Sequence, residues 1–121
     1  MFRYQQSPPA MFRDGKRLVD FVLYSGHAEG LDNPAMEAVR MIGPIPRGRW
    51  RIVQWDDHHG RLGPIVAILE PVDHDAHGRT AFRIHGDTML ANFTASDGCI
   101  VADHNLRVAM RASGDMDLEV V

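Results

Sequence analysis

The stretch Ala81-Phe82-Arg83-Ile84-His85-Gly86, joined by a spacer to Ser96-Asp97-Gly98-Cys99-Ile100, decides how the rest of the 121-residue chain is read. The first half alternates. Phe82 and Ile84 fall on one face of an extended segment, Arg83 and His85 on the other, which is the two-residue period of a strand. Gly86 follows as a turn signal and places His85 at a strand end. In the second half, glycine before cysteine lets the backbone turn tightly and leaves the N–H groups of Gly98 and Cys99 free. Two such donors can form an oxyanion hole beside a thiolate. The thiolate is the reactive form of cysteine, and a neighbouring imidazole is the usual device for generating it. Taken singly, a free cysteine is commonly a small buried apolar residue, and a lone histidine is commonly structural. The two halves together are far more specific than either.

Outward from this stretch, Gly (11) and Pro (7) punctuate the chain at short intervals, which favours strands and turns over long helices. Ile65-Val66-Ala67-Ile68-Leu69 is a continuous apolar run ended by Pro71 and suits a central strand. Trp50-Arg51-Ile52-Val53 reads as another. Asp14-Gly15 is a hairpin signal, because a type I′ turn needs residues that tolerate positive φ. It is flanked by Met11-Phe12 and by the run from Leu18 to Tyr24, read as one well-covered strand. Asn33-Pro34 predicts a helix start, with Asn33 as N-cap and room for two turns over 34–40 before Gly43-Pro44. Asp103 predicts the cap of a second helix carrying a Leu106, Ala109, Met110 stripe and stopped by Gly114. Leu118-Glu119-Val120-Val121 predicts a last strand. Asp56–Arg61 and Asp73–Arg79 read as polar loops.

The whole, 1–121, is expected to be one domain, since domains cluster near roughly 100–150 residues. The balance of 13 Lys+Arg against 16 Asp+Glu, a net charge of −3, argues against nucleic acid or an anionic membrane as partner. One cysteine excludes an internal disulfide and a zinc site made of cysteines alone. No window holds 18 consecutive apolar residues, so no helical membrane insertion is expected. The Met1–Gln6 segment lacks the layout of a secretory signal, so export through Sec is not expected.

Ile84-His85-Gly86 with Ser96-Asp97-Gly98-Cys99-Ile100 resembles the active-site signature of L,D-transpeptidase catalytic domains. Gly43-Pro44-Ile45-Pro46-Arg47-Gly48-Arg49-Trp50 is similar to the Pro-x-Gly-x-aromatic segment of that family. Tyr24-Ser25-Gly26, Asn33-Pro34-Ala35-Met36 and the C-terminal Ala112-Ser113-Gly114-Asp115 resemble more closely one branch, the short L,D-transpeptidase effectors delivered by type VI secretion. Asp97, where many members carry histidine or lysine, the short 87–95 spacer and Val101 in place of an arginine point to the same branch.

The resemblance implies a mainly β fold, an L,D-transpeptidase-like β-sandwich with one or two short helices. It implies a cysteine-dependent L,D-transpeptidase or L,D-carboxypeptidase acting on peptidoglycan tetrapeptide stems, as an antibacterial toxin secreted into the periplasm of a target bacterium. Cys99 is then the nucleophile, His85 its base, and Gly86 orients the imidazole through its backbone carbonyl. Gly98 and Cys99 supply the oxyanion donors, and Ser96, Asp97 and Phe93 contact substrate. No cofactor and no metal is implied. The partners are a peptidoglycan stem peptide, a cognate immunity protein and a component of the secretion apparatus. The alternative is a non-catalytic peptidoglycan-binding or secretion-docking module on the same fold.

Outside the motif, Asp56-Asp57-His58-His59 and His74-Asp75-Ala76-His77 carry ligand-type side chains without a recognised metal spacing, and read as solvated loops. His27 and His104 read likewise. Trp50 and Tyr24 are expected in the core, and the seven methionines as gap-fillers.

Overall fold

The computed structural model describes residues 1–18, 22–60, 62–86 and 98–121. Strands make up 43% of the described residues and the architecture is mainly β. The strands are β1 (Phe2–Gln5), β2 (Ala10–Arg13), β3 (Lys16–Leu18), β4 (Leu23–Ser25), β5 (Gly48–His59), β6 (Gly63–Val72), β7 (Arg83–His85), β8 (Ile100–Ala102) and β9 (Asp117–Val120). Among the described residues one helix, α1 (His104–Ser113), lies between β8 and β9, and three 3-10 turns occupy Ala28–Gly30, Pro34–Met36 and Ala76–Gly78.

The strands hydrogen-bond in the order β3-β2-β1-β9-β5-β6-β7-β8-β4. Residues from both ends of this sheet, Phe2 and Tyr4 at one and Leu23 and Ile100 at the other, share one hydrophobic cluster with Trp50, Ile52 and Leu106. The sheet therefore curls over its own core, as a sandwich requires. A register shift between Ile52 and Gln54 marks a bulge in the β5–β6 pair, and bulges bend strands.

Asp14 (φ +50°) and Gly15 (φ +83°) form the two-residue turn between β2 and β3, with Arg13 opposite Lys16. Asp103 caps α1, its Oδ1 accepting from Leu106 N–H at 3.0 Å, and Gly114 ends it. Trp50 and Tyr24 are fully buried. Trp50 meets Phe82 edge-on at 4.9 Å between ring centroids.

Several expectations are corrected. The 18–24 run is not one strand: Leu18 belongs to β3 and Leu23 to β4, at opposite ends of the strand order, and Val22 lies in neither. Asn33 does cap, accepting from Ala35 N–H at 3.2 Å, but only a single 3-10 turn follows. Asp56–His59 is no loop. It is the outer half of β5, paired with β6, where the backbone ladder holds a polar sequence with Asp57 and His58 exposed and Asp56 and His59 half-buried. The 65–69 strand runs through Pro71 to Val72. In α1 the inward residues are Leu106, Arg107 and Met110, while Ala109 is exposed. Asp73–Arg79 contains a 3-10 turn and ends on a buried arginine.

Candidate active site

His85 and Cys99 converge through strand pairing. β7 and β8 run parallel with Ile84 opposite Ile100 and His85 opposite Val101. Side chains alternate along a strand, so Cys99, one residue before Ile100, shares the His85 face. Cys99 itself comes immediately before β8, whose Val101 is the partner of His85. Both line one cleft of about 370 Å³, with Met41, His59, Leu62, Thr80, Ala81, Phe82, Arg83 and Gly98 as the other walls.

The His85 ring is oriented by the backbone. Its Nδ1 lies 2.7 Å from the carbonyl oxygen of Gly86. A carbonyl only accepts, so Nδ1 carries the proton and Nε2 is left as the basic nitrogen. Gly86 is in turn backed by Arg107: a Cβ there would stand 2.8 Å from Nη2. Arg107 is buried and donates to the carbonyls of Ala102 (3.0 Å), Pro64 (2.5 Å) and Ile65 (2.9 Å). It thereby joins α1, the start of β6 and the turn after His85.

The Cys99 turn is held from the opposite side. Ser25, at 0% exposure, directs its hydroxyl toward the carbonyls of Gly98 (3.2 Å) and Cys99 (2.9 Å), and its oxygen accepts from Ile45 N–H at 2.8 Å. In a trans peptide the carbonyl and the following N–H point in opposite directions. With the Gly98 carbonyl turned to Ser25, the Cys99 N–H is turned away from it. Gly98 has φ +133°, where glycine alone is comfortable, and a Cβ there would run into Arg79 and Phe82. Cys99 Sγ is 3.6 Å from the Ala81 carbonyl oxygen.

Ser96, Asp97 and Phe93 lie outside the described residues. His59, read from sequence as part of a solvated loop, lines the cleft, and its Nδ1 is buried without a hydrogen-bond partner among the described residues. His74 is absorbed structurally: Nε2 lies 2.9 Å from the Arg49 carbonyl and Nδ1 accepts from Ala76 N–H at 3.1 Å. Among the described residues no three His, Cys, Asp or Glu side chains gather as a metal site. Ser25, Arg79 and Arg107 were not singled out from sequence. Only Ser25 left a trace there, inside the Tyr24-Ser25-Gly26 segment.

A family model described as the Tlde1 domain matches residues 20–117, most of the chain. The chain belongs to the Tlde1 domain family. This is the type VI secretion L,D-transpeptidase effector family, the branch named by the sequence resemblance. Among solved structures, this Tlde1 domain is similar to the L,D-transpeptidase from Xylanimonas cellulosilytica, with a TM-score of 0.61 and 16% identity. The alignment covers 99% of this chain and 59% of that one, so the Tlde1 domain spans rather more than half the length of its solved relative. At that identity the likeness shows the fold, an L,D-transpeptidase domain. No curated protein matches the chain.

Proposed function

We propose that this Tlde1 domain is a cysteine-dependent L,D-acyl transferase, working as L,D-transpeptidase or L,D-carboxypeptidase on peptidoglycan tetrapeptide stems. Family and fold support a transpeptidase-like effector that acts on peptidoglycan. The observation that carries the finer reading is the 2.7 Å contact of His85 Nδ1 with the Gly86 carbonyl, on the strand face shared with Cys99. It leaves Nε2 as the basic nitrogen of a histidine that lines the same cleft as the sole thiol.

His85 Nε2 takes the Cys99 S–H proton, and the sulfur attacks the carbonyl between an L-centre and the terminal D-residue of the stem. The Gly98 and Cys99 N–H groups hold the resulting oxyanion. The C–N bond then breaks, and the imidazolium returns its proton to the leaving amine of the D-residue. This leaves a thioester on Cys99. Water or an incoming amine next gives a proton to Nε2 and attacks the thioester, which releases the acyl group and restores the thiol. Water as acceptor makes the reaction a carboxypeptidation, and an amine makes it a transpeptidation or an exchange. Ser96, Asp97 and Phe93 are proposed as substrate contacts on the segment before Gly98.

Incubation with purified muropeptides under reducing conditions tests this reading. Loss or exchange of the terminal D-residue is expected from the wild-type protein and not from Cys99→Ala. Unchanged muropeptides with the wild type would overturn it, and binding without conversion would favour the non-catalytic module. As an effector delivered by type VI secretion, the domain is expected to be toxic when directed to the periplasm and harmless in the cytoplasm. Suppression by a cognate immunity protein is expected as well. Equal harmlessness in both compartments would count against delivery to the periplasm.

A further inference from the structure

Arg79 is the buried charge that the mechanism above leaves unused. It is 8% exposed, although it follows a polar 3-10 turn on the surface. Its Nη1 donates to the carbonyls of Glu37 (2.5 Å) and Pro44 (2.8 Å), and its Nη2 donates to that of Gly43 (3.0 Å). Carbonyl oxygens hold a guanidinium without discharging it. The carboxylate of Glu37 is itself committed to Arg47, at 2.7 Å from Nε and 2.5 Å from Nη2.

The guanidinium also packs against the turn that carries Cys99. Its central carbon lies 5.2 Å from the Phe82 ring centroid, and Nη2 fills the space where a side chain on Gly98 would stand. Arg79, Ala81 and Phe82 thus form one wall against the Gly98–Cys99 turn. Within that wall the Ala81 carbonyl, 3.6 Å from Sγ, accepts from the thiol and so favours the protonated form. Ala81 is held at φ +66°, an unfavourable angle for alanine. A thiol kept protonated by a carbonyl is a poor nucleophile at neutral pH unless a positive charge stands close by.

We propose that Arg79 is a positioning residue for Cys99: it pins the 37–44 segment against the Gly98–Cys99 turn and sets a fixed positive charge beside the sulfur that favours the thiolate. The inference rests on the reading of Cys99 as nucleophile. Electrostatics between the two groups agree with it. Burial pushes the Arg79 guanidinium down from its usual range, and the charges of Cys99 and, after it, Glu37 push it back up. Such a coupling is mutual, so a cation stabilised by the thiolate stabilises the thiolate equally. The role is absent from the motif because Arg79 comes from the far side of the cleft wall, before β7.

Cys99 is the sole thiol, so the rate of its alkylation by iodoacetamide, followed by intact mass as a function of pH, reports its ionisation directly. The wild-type midpoint is expected below the ordinary thiol value of about 8.5. Arg79→Gln is expected to raise it by about one unit, so that alkylation at pH 7 slows roughly tenfold. Arg79→Lys, which keeps the charge and loses the fork, is expected to recover much of that loss. The same upward shift on Arg79→Gln is expected in a His85→Ala background, where no imidazolium contributes. A midpoint unchanged by both Arg79 substitutions would overturn the proposal. A wild-type midpoint at or above 8.5 would do so even if neither variant folds. The readout uses no muropeptide: turnover without the shift rejects the role of Arg79 alone, and the shift without turnover rejects the enzyme reading alone.

Discussion

The Ser25 hydroxyl and the Cys99 carbonyl oxygen lie 2.9 Å apart, joining β4 to the turn that carries the thiol. The same hydroxyl oxygen receives the Ile45 N–H at 2.8 Å, so one small side chain links three segments distant in sequence. Removing a buried partner leaves the others unsatisfied, at about 1–3 kcal/mol. Ser25→Ala is therefore expected to lower stability by that amount in urea titrations and to slow muropeptide turnover more than it weakens substrate binding. A variant as stable and as active as the wild type would show that the turn does not depend on Ser25.

Gly98→Ala is expected to be more disruptive than its size suggests. At φ +133° an L-residue is strained by about 1–3 kcal/mol, and the added methyl would have to displace Arg79 or Phe82. Loss of Cys99 alkylation at neutral pH should accompany the fall in unfolding midpoint. Unaltered alkylation would mean that the turn accommodates the methyl without moving the guanidinium.

His85→Ala and Cys99→Ala separate the two roles assigned to the dyad. Cys99→Ala should remove turnover and thiol labelling together. His85→Ala should still fold, cut turnover by about 10²–10⁴-fold, and keep labelling at alkaline pH, where the thiol ionises unaided. Wild-type turnover in His85→Ala would remove that histidine from the chemistry.

Acid sensitivity is expected to come partly from Glu37. Burial pushes its carboxyl up, but hydrogen bonds from the Arg47 side chain and backbone outweigh this and leave it below its ordinary value. The folded protein thus binds this proton less readily than the unfolded chain does. The stabilisation is present above the unfolded value of 4.5 and is lost as pH falls below it. Thermal midpoints of wild type and Glu37→Gln should differ at pH 7 and converge by about pH 3. A gap that stays constant over that range would place the effect in packing and not in charge.

Much of this architecture was readable from local chemistry. Asp14-Gly15 and the Asp103–Gly114 frame specify their turn and helix through backbone demands met within a few residues, and both appear where expected. The strand-end histidine and the Gly-Cys pair were legible for the same reason. What escaped depends on distant partners. Asp56–His59 looks like a loop because its side chains are polar, yet its strand is held by backbone pairing to β6. Arg107 breaks the apolar stripe of α1 and is nonetheless buried, since three carbonyls from outside the helix interior accept from it. Arg79 is hidden likewise, its acceptors lying at residues 37–44. Neither arginine carries a sequence mark that separates it from a surface one. The motif names the His85–Cys99 pair, and long-range contacts supply the residues packed around it.

The β5–β6 pair divides into two parts with different freedoms. Trp50 and Ile52 on β5 and Val66, Ala67 and Leu69 on β6 are locked in the core, whereas nothing on β5 beyond Ile52 is buried. Yet the outer arm reaches the cleft through His59 and Leu62. A substitution at His59 or Leu62 therefore alters the cleft that Cys99 lines while leaving these buried core residues in place.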